Sequence, residues 1–170
     1  MLILPLGRAT LSIAGLALIP QSRNGLAVLQ MSHATSADGT LNVLGTPLEV
    51  CSKPEGPITG WRRDGFCNTD DFDNGSHCVC CELTSDFLEY TKSKGNDLST
   101  PRGGFPGLKP GDRWCLCSSR WLQAQQAGKA PLVILKSTHA RATDIVPLEL
   151  LMKHQSDVES PAEVAASEEL

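Results

Sequence analysis

Four cysteines fall in two alternating pairs, Cys78 with Cys80 and Cys115 with Cys117, each inside a stretch that reads as a strand. Alternate residues of a strand share a face, so two such strands side by side could gather four sulfurs. Thiolates in that arrangement suit tetrahedral zinc, and His77 offers a substitute ligand, which makes His77, Cys80, Cys115 and Cys117 the candidate metal set. The spacing is not that of the commoner two-residue zinc knuckles, and cysteine is among the residue types most often buried. The preferred expectation is therefore thiols packed in a core with no cofactor, and zinc is the alternative. Cys78-Val79-Cys80-Cys81 is formally a C-x-x-C. A redox dithiol wants its first thiolate at a helix N-terminus, whereas the helix expected here begins only after Thr84.

A second group of residues could recognise a small molecule. Asn96, Asp97, Ser99 and Thr100, with Asp112, Arg113, Trp114, Arg63, Asp64 and His139, supply the donors, acceptors and acid–base groups of a polar site. The competing reading is structural. Asp97 and Ser99 can satisfy loop amides, and Arg113 and Asp64 can form an ion pair. For Trp61, Trp114 and Trp121 core packing is the first expectation and an aromatic wall the second. Serine hydrolysis has no motif, because no G-x-S-x-G elbow occurs. Asp70 to Gly75 imitates the start of a calcium loop, but the third and twelfth positions are Phe72 and Cys81, so a solvated turn is expected.

These residues need elements to hold them. Leu41 to Cys51 reads as an irregular or edge strand interrupted by Gly45 and Pro47, Trp61 to Cys67 as a second strand, and His77 to Leu83 as a third. Ser85 can cap a helix that ends at Lys94 and Gly95. From Gly95 to Gly111 prolines and glycines forbid regular structure, and ordered loops of that length are often functional. Asp112 to Cys117 reads as a strand, Ser118 or Ser119 opens a helix that stops at Gly128, and Leu132 to Leu135 suits a strand covered on both faces. Pro147 fits the first position of a last helix. The class expected is α+β, one compact domain with a small mixed or antiparallel sheet, about three short helices and long ordered loops.

The chain has 170 residues, net charge -4 and scattered basic residues, which argues against nucleic acid as a partner. Seven cysteines are an odd number in a chain large enough to fold without staples. The expectation is reduced thiols and an intracellular setting. No acid precedes Asp38, and Arg8 and Arg23 flank the apolar run Leu11 to Pro20, a composition suggesting a mitochondrial transit peptide. That run is too short to span a membrane, which takes about 20 apolar residues. The expected organisation is an extension at 1–40, a domain at 41–154 and a disordered acidic tail at 155–170, located in the cytoplasm or, if the extension is a transit peptide, in mitochondria.

The run Gly95-Asn-Asp-Leu-Ser-Thr-Pro101, continuing through Phe105-Pro-Gly-Leu-Lys-Pro-Gly-Asp-Arg-Trp-Cys-Leu-Cys117 and Arg120-Trp121, resembles the signature of the bacterial-type family called domain of unknown function 2237. The resemblance extends to Asn42-Val-Leu-Gly45, Thr59-Gly60, Arg63-Asp64-Gly65, Cys67, Ala127-Gly128, Ala130-Pro131 and Thr138-His139. It implies a compact mixed domain and no established substrate, cofactor or catalytic residue. Cys78 and Cys81 depart from the threonine and alanine that the family leads one to expect, and the loop before Phe105 is shortened to Arg102-Gly103-Gly104.

The leading functional expectation is a small-ligand-binding or accessory domain, not an enzyme, whose partner is a small molecule or another protein. The alternative is a metal- or thiol-dependent enzyme built on the Cys/His cluster.

Overall fold

The computed structural model of the chain describes residues 34–156. Its elements are β1 (Val79–Glu82), α1 (Ser85–Ser93), β2 (Arg113–Leu116), α2 (Ser118–Gln126), β3 (Leu132–Val133) and α3 (Leu148–Lys153), with 3-10 turns at Leu135–Ser137 and Ala140–Asp144. The strands form one antiparallel sheet in the order β2-β1-β3. The fold is α+β, with three α-helices and a three-stranded sheet among the described residues. None of those helices is long and apolar enough to cross a membrane.

Local chemistry explains the helices. Thr84, one residue before the expected cap, stays extended and accepts the Phe87 amide at 3.2 Å, while Asp86 in the first turn complements the helix dipole. Phe87 and Leu88 turn inward, and Gly95, with φ +82, ends the helix. In α2 the buried residues are Ser118, Trp121 and Ala124, and the Trp121 indole N–H donates to the Pro131 carbonyl at 3.2 Å. Pro147 sits one place earlier than expected, as the N-cap of α3.

Alternation along the strands gives the sheet two different faces. Val79, Cys81, Trp114 and Leu116 join Phe87, Trp121 and Val133 in the main core beneath α1 and α2. Cys80 and Cys115, directly paired across β1 and β2, point the other way and meet Cys51 and Cys67. All four sulfurs are bonded, Cys51 to Cys80 and Cys67 to Cys115. The expectation of wholly reduced thiols is thus corrected. Cys51 and Cys67 come from the segment before β1, which folds back across this second face and is joined to itself by the Cys51 amide donating to the Gly65 carbonyl.

That segment needs such ties because it has almost no regular structure. Leu41 to Cys51 forms isolated bridges only, Leu41 with Pro47 and Asn42 with His139 among them. Trp61 to Cys67 is a series of turns, since Arg63 and Gly65 take positive φ and no strand can run through them. The buried Asn42 side chain holds the neighbouring loop, donating to the Thr46 hydroxyl and the Pro47 and Lys136 carbonyls and accepting the Leu44 amide. At the other end β3 has two residues instead of four; Leu132 is half-exposed, and the chain turns at Leu135. Residues 1–33 of the expected extension and most of the acidic tail lie outside the described residues, but Thr35 bridges Glu49, Gln155 bridges Val133 and the Ser156 amide donates to the Val133 carbonyl at 2.8 Å.

Candidate functional site

Three cysteines remain as thiols: Cys78, Cys81 and Cys117. Burial pushes Cys78 up to about 12 and Cys81 far above the usual thiol value, so both are inert packing groups. Cys117 is half-buried and reachable. It follows β2 directly and is the N-cap of α2, with φ -55 and ψ 128, which sets its sulfur at the positive end of a nine-residue helix whose first turn holds no acid.

The ring of His77 faces this sulfur, with Nε2 3.1 Å from Sγ. On the other side of the ring Nδ1 lies 2.6 Å from Oδ1 of Asp73. Asp73 is buried, and its Oδ2 accepts the His77 amide at 2.7 Å and the Thr69 hydroxyl at 3.0 Å. Burial opposes ionisation of this carboxyl, but the His77 amide and ring and the Thr69 hydroxyl outweigh it and hold the carboxyl below its usual range. The bond to the Cys117 sulfur, against the cost of burial and with help from Asp73, raises His77 to about 9. At neutral pH the imidazole is therefore cationic and donates from both nitrogens, one toward sulfur and one toward carboxylate.

Two backbone features fix this arrangement. The Ser76 carbonyl accepts the Cys78 amide at 2.7 Å and both the Ser118 amide and hydroxyl at 3.0 Å, clamping the His77 loop to the start of α2. Gly75 passes so close that a Cβ there would stand 2.6 Å from the His77 Cε1 and 3.0 Å from the Cys117 Sγ. A nucleophile, a base and a buried group orienting the base form the pattern of covalent acid–base catalysis.

His77 also forms part of the wall of a cavity of about 330 Å³. Trp61 stacks on the histidine, with ring centroids 5.9 Å apart and planes within 9°. Trp114 and Phe105 meet edge to face at 5.7 Å, Arg63 lays its guanidinium 4.7 Å from the centre of the Trp114 ring, and Arg102 lines the same cavity. Gly60, with φ +95, makes the turn beneath them; a side chain there would collide with the Phe66 carbonyl.

Of the residues expected to bind a ligand, Arg63 and Trp114 line this cavity. The others are engaged locally. Asp64 accepts the Phe66 amide and Asn68 side chain, Asn96 donates to the Thr91 hydroxyl, and Asp97 accepts the Ser99 and Thr100 amides and the Thr100 hydroxyl while pairing with Lys92. Asp112 caps the Lys109 amide, and Arg113 faces Glu82, not Asp64, at 3.9 Å. His139 accepts the Arg141 amide at the start of a 3-10 turn, where burial lowers its basicity. Of the tryptophans only Trp121 is fully buried; Trp61 is 44% exposed and serves as a wall.

The candidate metal set is not assembled. Cys80 and Cys115 are held in disulfides, and the sulfurs of Cys51, Cys67 and Cys80, which lie within 4.8 Å of one another, are all bonded likewise. Zinc takes thiolates, so these do not fit it, and His77 with Cys117 leaves fewer ligands than the three protein donors of an open zinc site. Asp73 is the member of this hydrogen-bonded series that the sequence does not reveal, because the Asp70 to Asn74 run reads as a solvated turn. Cys117 was visible as a sulfur but not as a nucleophile. The signal that could have found it is the helix start expected at Ser118, which already placed Cys117 at a helix N-terminus.

Residues 41–155 match the model of a family described as an uncharacterized protein conserved in bacteria, DUF2237. No curated protein matches the chain.

Proposed function

The chain belongs to the DUF2237 family, which brings no activity with it, and we propose that it is an enzyme whose nucleophile is the Cys117 thiolate, acting on a small molecule held beside His77. The observation that carries this reading is the hydrogen-bonded series from Cys117 through His77 to buried Asp73 at the N-terminus of α2. It favours the thiol-dependent alternative over a purely binding role.

The chemistry suited to such a series is acyl transfer. The sulfur forms a bond to an acyl carbon, the bond to the leaving group breaks with its electron pair, and the His77 Nε2 proton goes to that group. Neutral His77 then takes a proton from water as the water oxygen attacks the thioester, and the thiolate departs. Asp73 keeps the ring oriented and balances its charge.

The cavity also supports a second reading, a ligand-binding domain without turnover, since aromatic walls and two guanidiniums suffice for recognition. The two disulfides favour a compartment that does not reduce them over the reducing cytosol first expected.

The test is thiol chemistry on the native chain. Iodoacetamide at pH 7 should label one cysteine, Cys117, and 4-nitrophenyl acetate should release a burst of about one nitrophenolate per chain. His77→Ala should slow the labelling about tenfold or more, and Cys117→Ser should abolish the burst. Labelling no faster than that of an unstructured cysteine peptide, with His77→Ala unchanged, would overturn the catalytic reading.

A further inference from the structure

We propose that the cavity bounded by Trp61, Arg63, Arg102, Phe105 and Trp114 binds a small anion carried on a flat apolar body, an aromatic carboxylate being the simplest case. Binding of this ligand class stands on the cavity alone. Its identification as the substrate class of Cys117 rests on the catalytic reading above.

Charge is the first observation. The chain as a whole is acidic, at -4, yet the ionisable side chains lining this cavity are Arg63, Arg102 and His77, with no carboxylate among them. Among the described residues neither arginine pairs with an acid. Arg63 donates only to the Gly60 carbonyl, at 3.2 Å, and Arg102 to the Asp97 carbonyl, which leaves further guanidinium N–H groups of each for an incoming anion. Unpaired guanidiniums gathered at a concave, partly apolar surface favour an anion more strongly than they would on an open face.

Backbone geometry is the second. Arg63 is not glycine, yet it takes φ +56 and lies exposed while its guanidinium rests over the Trp114 ring. A bulky residue in the left-handed region is uncommon, and such strain collects where a side chain must be aimed. Here the guanidinium sits at the cavity wall with its carbon 4.7 Å from the centre of the Trp114 ring, where its free N–H groups can reach a planar carboxylate.

Shape and polarity are the third. Trp61, Phe105, Trp114 and Leu98 supply apolar wall, and Trp61 offers that surface while 44% exposed. About 330 Å³ lies near the lower end of the cavity sizes that take small molecules, which suits one or two rings and excludes a peptide or a dinucleotide.

Calorimetric titration of the oxidised, full-length chain with 2-naphthoate tests this. One site per chain is expected, with naphthalene-2-methanol, the neutral analogue, at least about tenfold weaker. The Arg63→Gln/Arg102→Gln double variant should lose about tenfold or more for 2-naphthoate and little for the alcohol, and Trp61→Ala should weaken both. Phenyl phosphate serves as a further arm: binding above that of 2-naphthoate would overturn the carboxylate in favour of a phosphoryl ligand. Equal binding of acid and alcohol, or a double variant that binds as the wild type does, overturns the proposal outright. Measured at pH 5.5, where His77 is cationic with or without the Cys117 sulfur, Cys117→Ala should bind 2-naphthoate as the wild type does. Binding with an unreactive Cys117 would therefore refute the catalytic reading alone, and a reactive Cys117 without binding would refute this one alone.

Discussion

The Sγ of Cys117 and the Nε2 of His77 meet at 3.1 Å across 40 residues of sequence. Neither residue belongs to a strand: β1 begins after His77 and β2 ends before Cys117. Antiparallel pairing of Val79 with Leu116 brings the two flanking positions to the same end of the sheet, and the Ser76 carbonyl locks them there by accepting from Ser118. The site is thus a consequence of register; a slip of β1 against β2 by two residues would part the pair by about 7 Å.

The largest influence raising His77 is the Cys117 sulfur, ahead of Asp73. Cys117→Ser should therefore lower the imidazole titration midpoint from about 9 toward the ordinary 6.5 by more than Asp73→Asn does, as followed by NMR of the His77 ring carbons. If Asp73→Asn has the larger effect, the pair with sulfur is not the dominant interaction.

The same shifts set a pH dependence of stability. His77 titrates higher folded than unfolded, so the stability it contributes is complete below about pH 6.5 and is lost as pH rises through about 9. Asp73 is shifted the other way, so its contribution is complete above its unfolded value of 3.8 and is lost as pH falls through its folded value. Urea unfolding of the wild type and His77→Gln should differ more at pH 6 than at pH 10. A difference that grows with pH would contradict the direction assigned to His77.

Gly75 has no room for a side chain. The Cβ of Gly75→Ala would approach the His77 ring to 2.6 Å, and the backbone clamp at Ser76 limits retreat, so the ring must swing away from Cys117. A loss of about 1–3 kcal/mol of stability is expected from the overpacking, with a larger proportional loss of Cys117 alkylation rate. Wild-type alkylation in Gly75→Ala would show that the contact between His77 and Cys117 does not govern reactivity.

How much of this could be read from the sequence differs from residue to residue. The helices were legible because their signals are local: Thr84 and Asp86 before Phe87, and Gly95 after the last turn. β3 was overestimated because a run of apolar residues carries length but no partner, and beyond Val133 only the Ile134 amide, donating to the Cys80 carbonyl, continues the pairing with β1 before the chain turns at Leu135. Arg63 and Trp114 were found as a pair of suitable types, whereas Asp97 and Asn96, equally suitable, spend their polar atoms on their own loop. Asp73 was hidden because its burial arises from the loop closing on His77, and no composition rule distinguishes it from Asp71, which remains in solvent.

The disulfides were hidden for a related reason, and they give the last prediction. Cysteine partners 29 and 48 residues apart are fixed by how the segment before β1 crosses the sheet, which no spacing rule records, and an odd total argued against pairing. The crossing segment has no ladder of strand hydrogen bonds among the described residues; its backbone makes isolated bridges and scattered turn contacts. Removing its covalent ties therefore acts on a part of the fold that cannot compensate by strand pairing. Denatured without reductant, the chain should titrate three thiols, those of Cys78, Cys81 and Cys117, and with reductant all seven. The Cys67→Ser/Cys115→Ser variant should lose about 2–5 kcal/mol of stability. It should also loosen Thr59, whose hydroxyl accepts the Cys115 amide at 2.8 Å, and with it the Gly60 turn under Trp61 and Arg63. Binding of 2-naphthoate should consequently weaken in that variant, while Cys117, clamped separately through Ser76, should keep its alkylation rate. Seven thiols titrating in the unreduced, denatured chain would sink this account of the second sheet face.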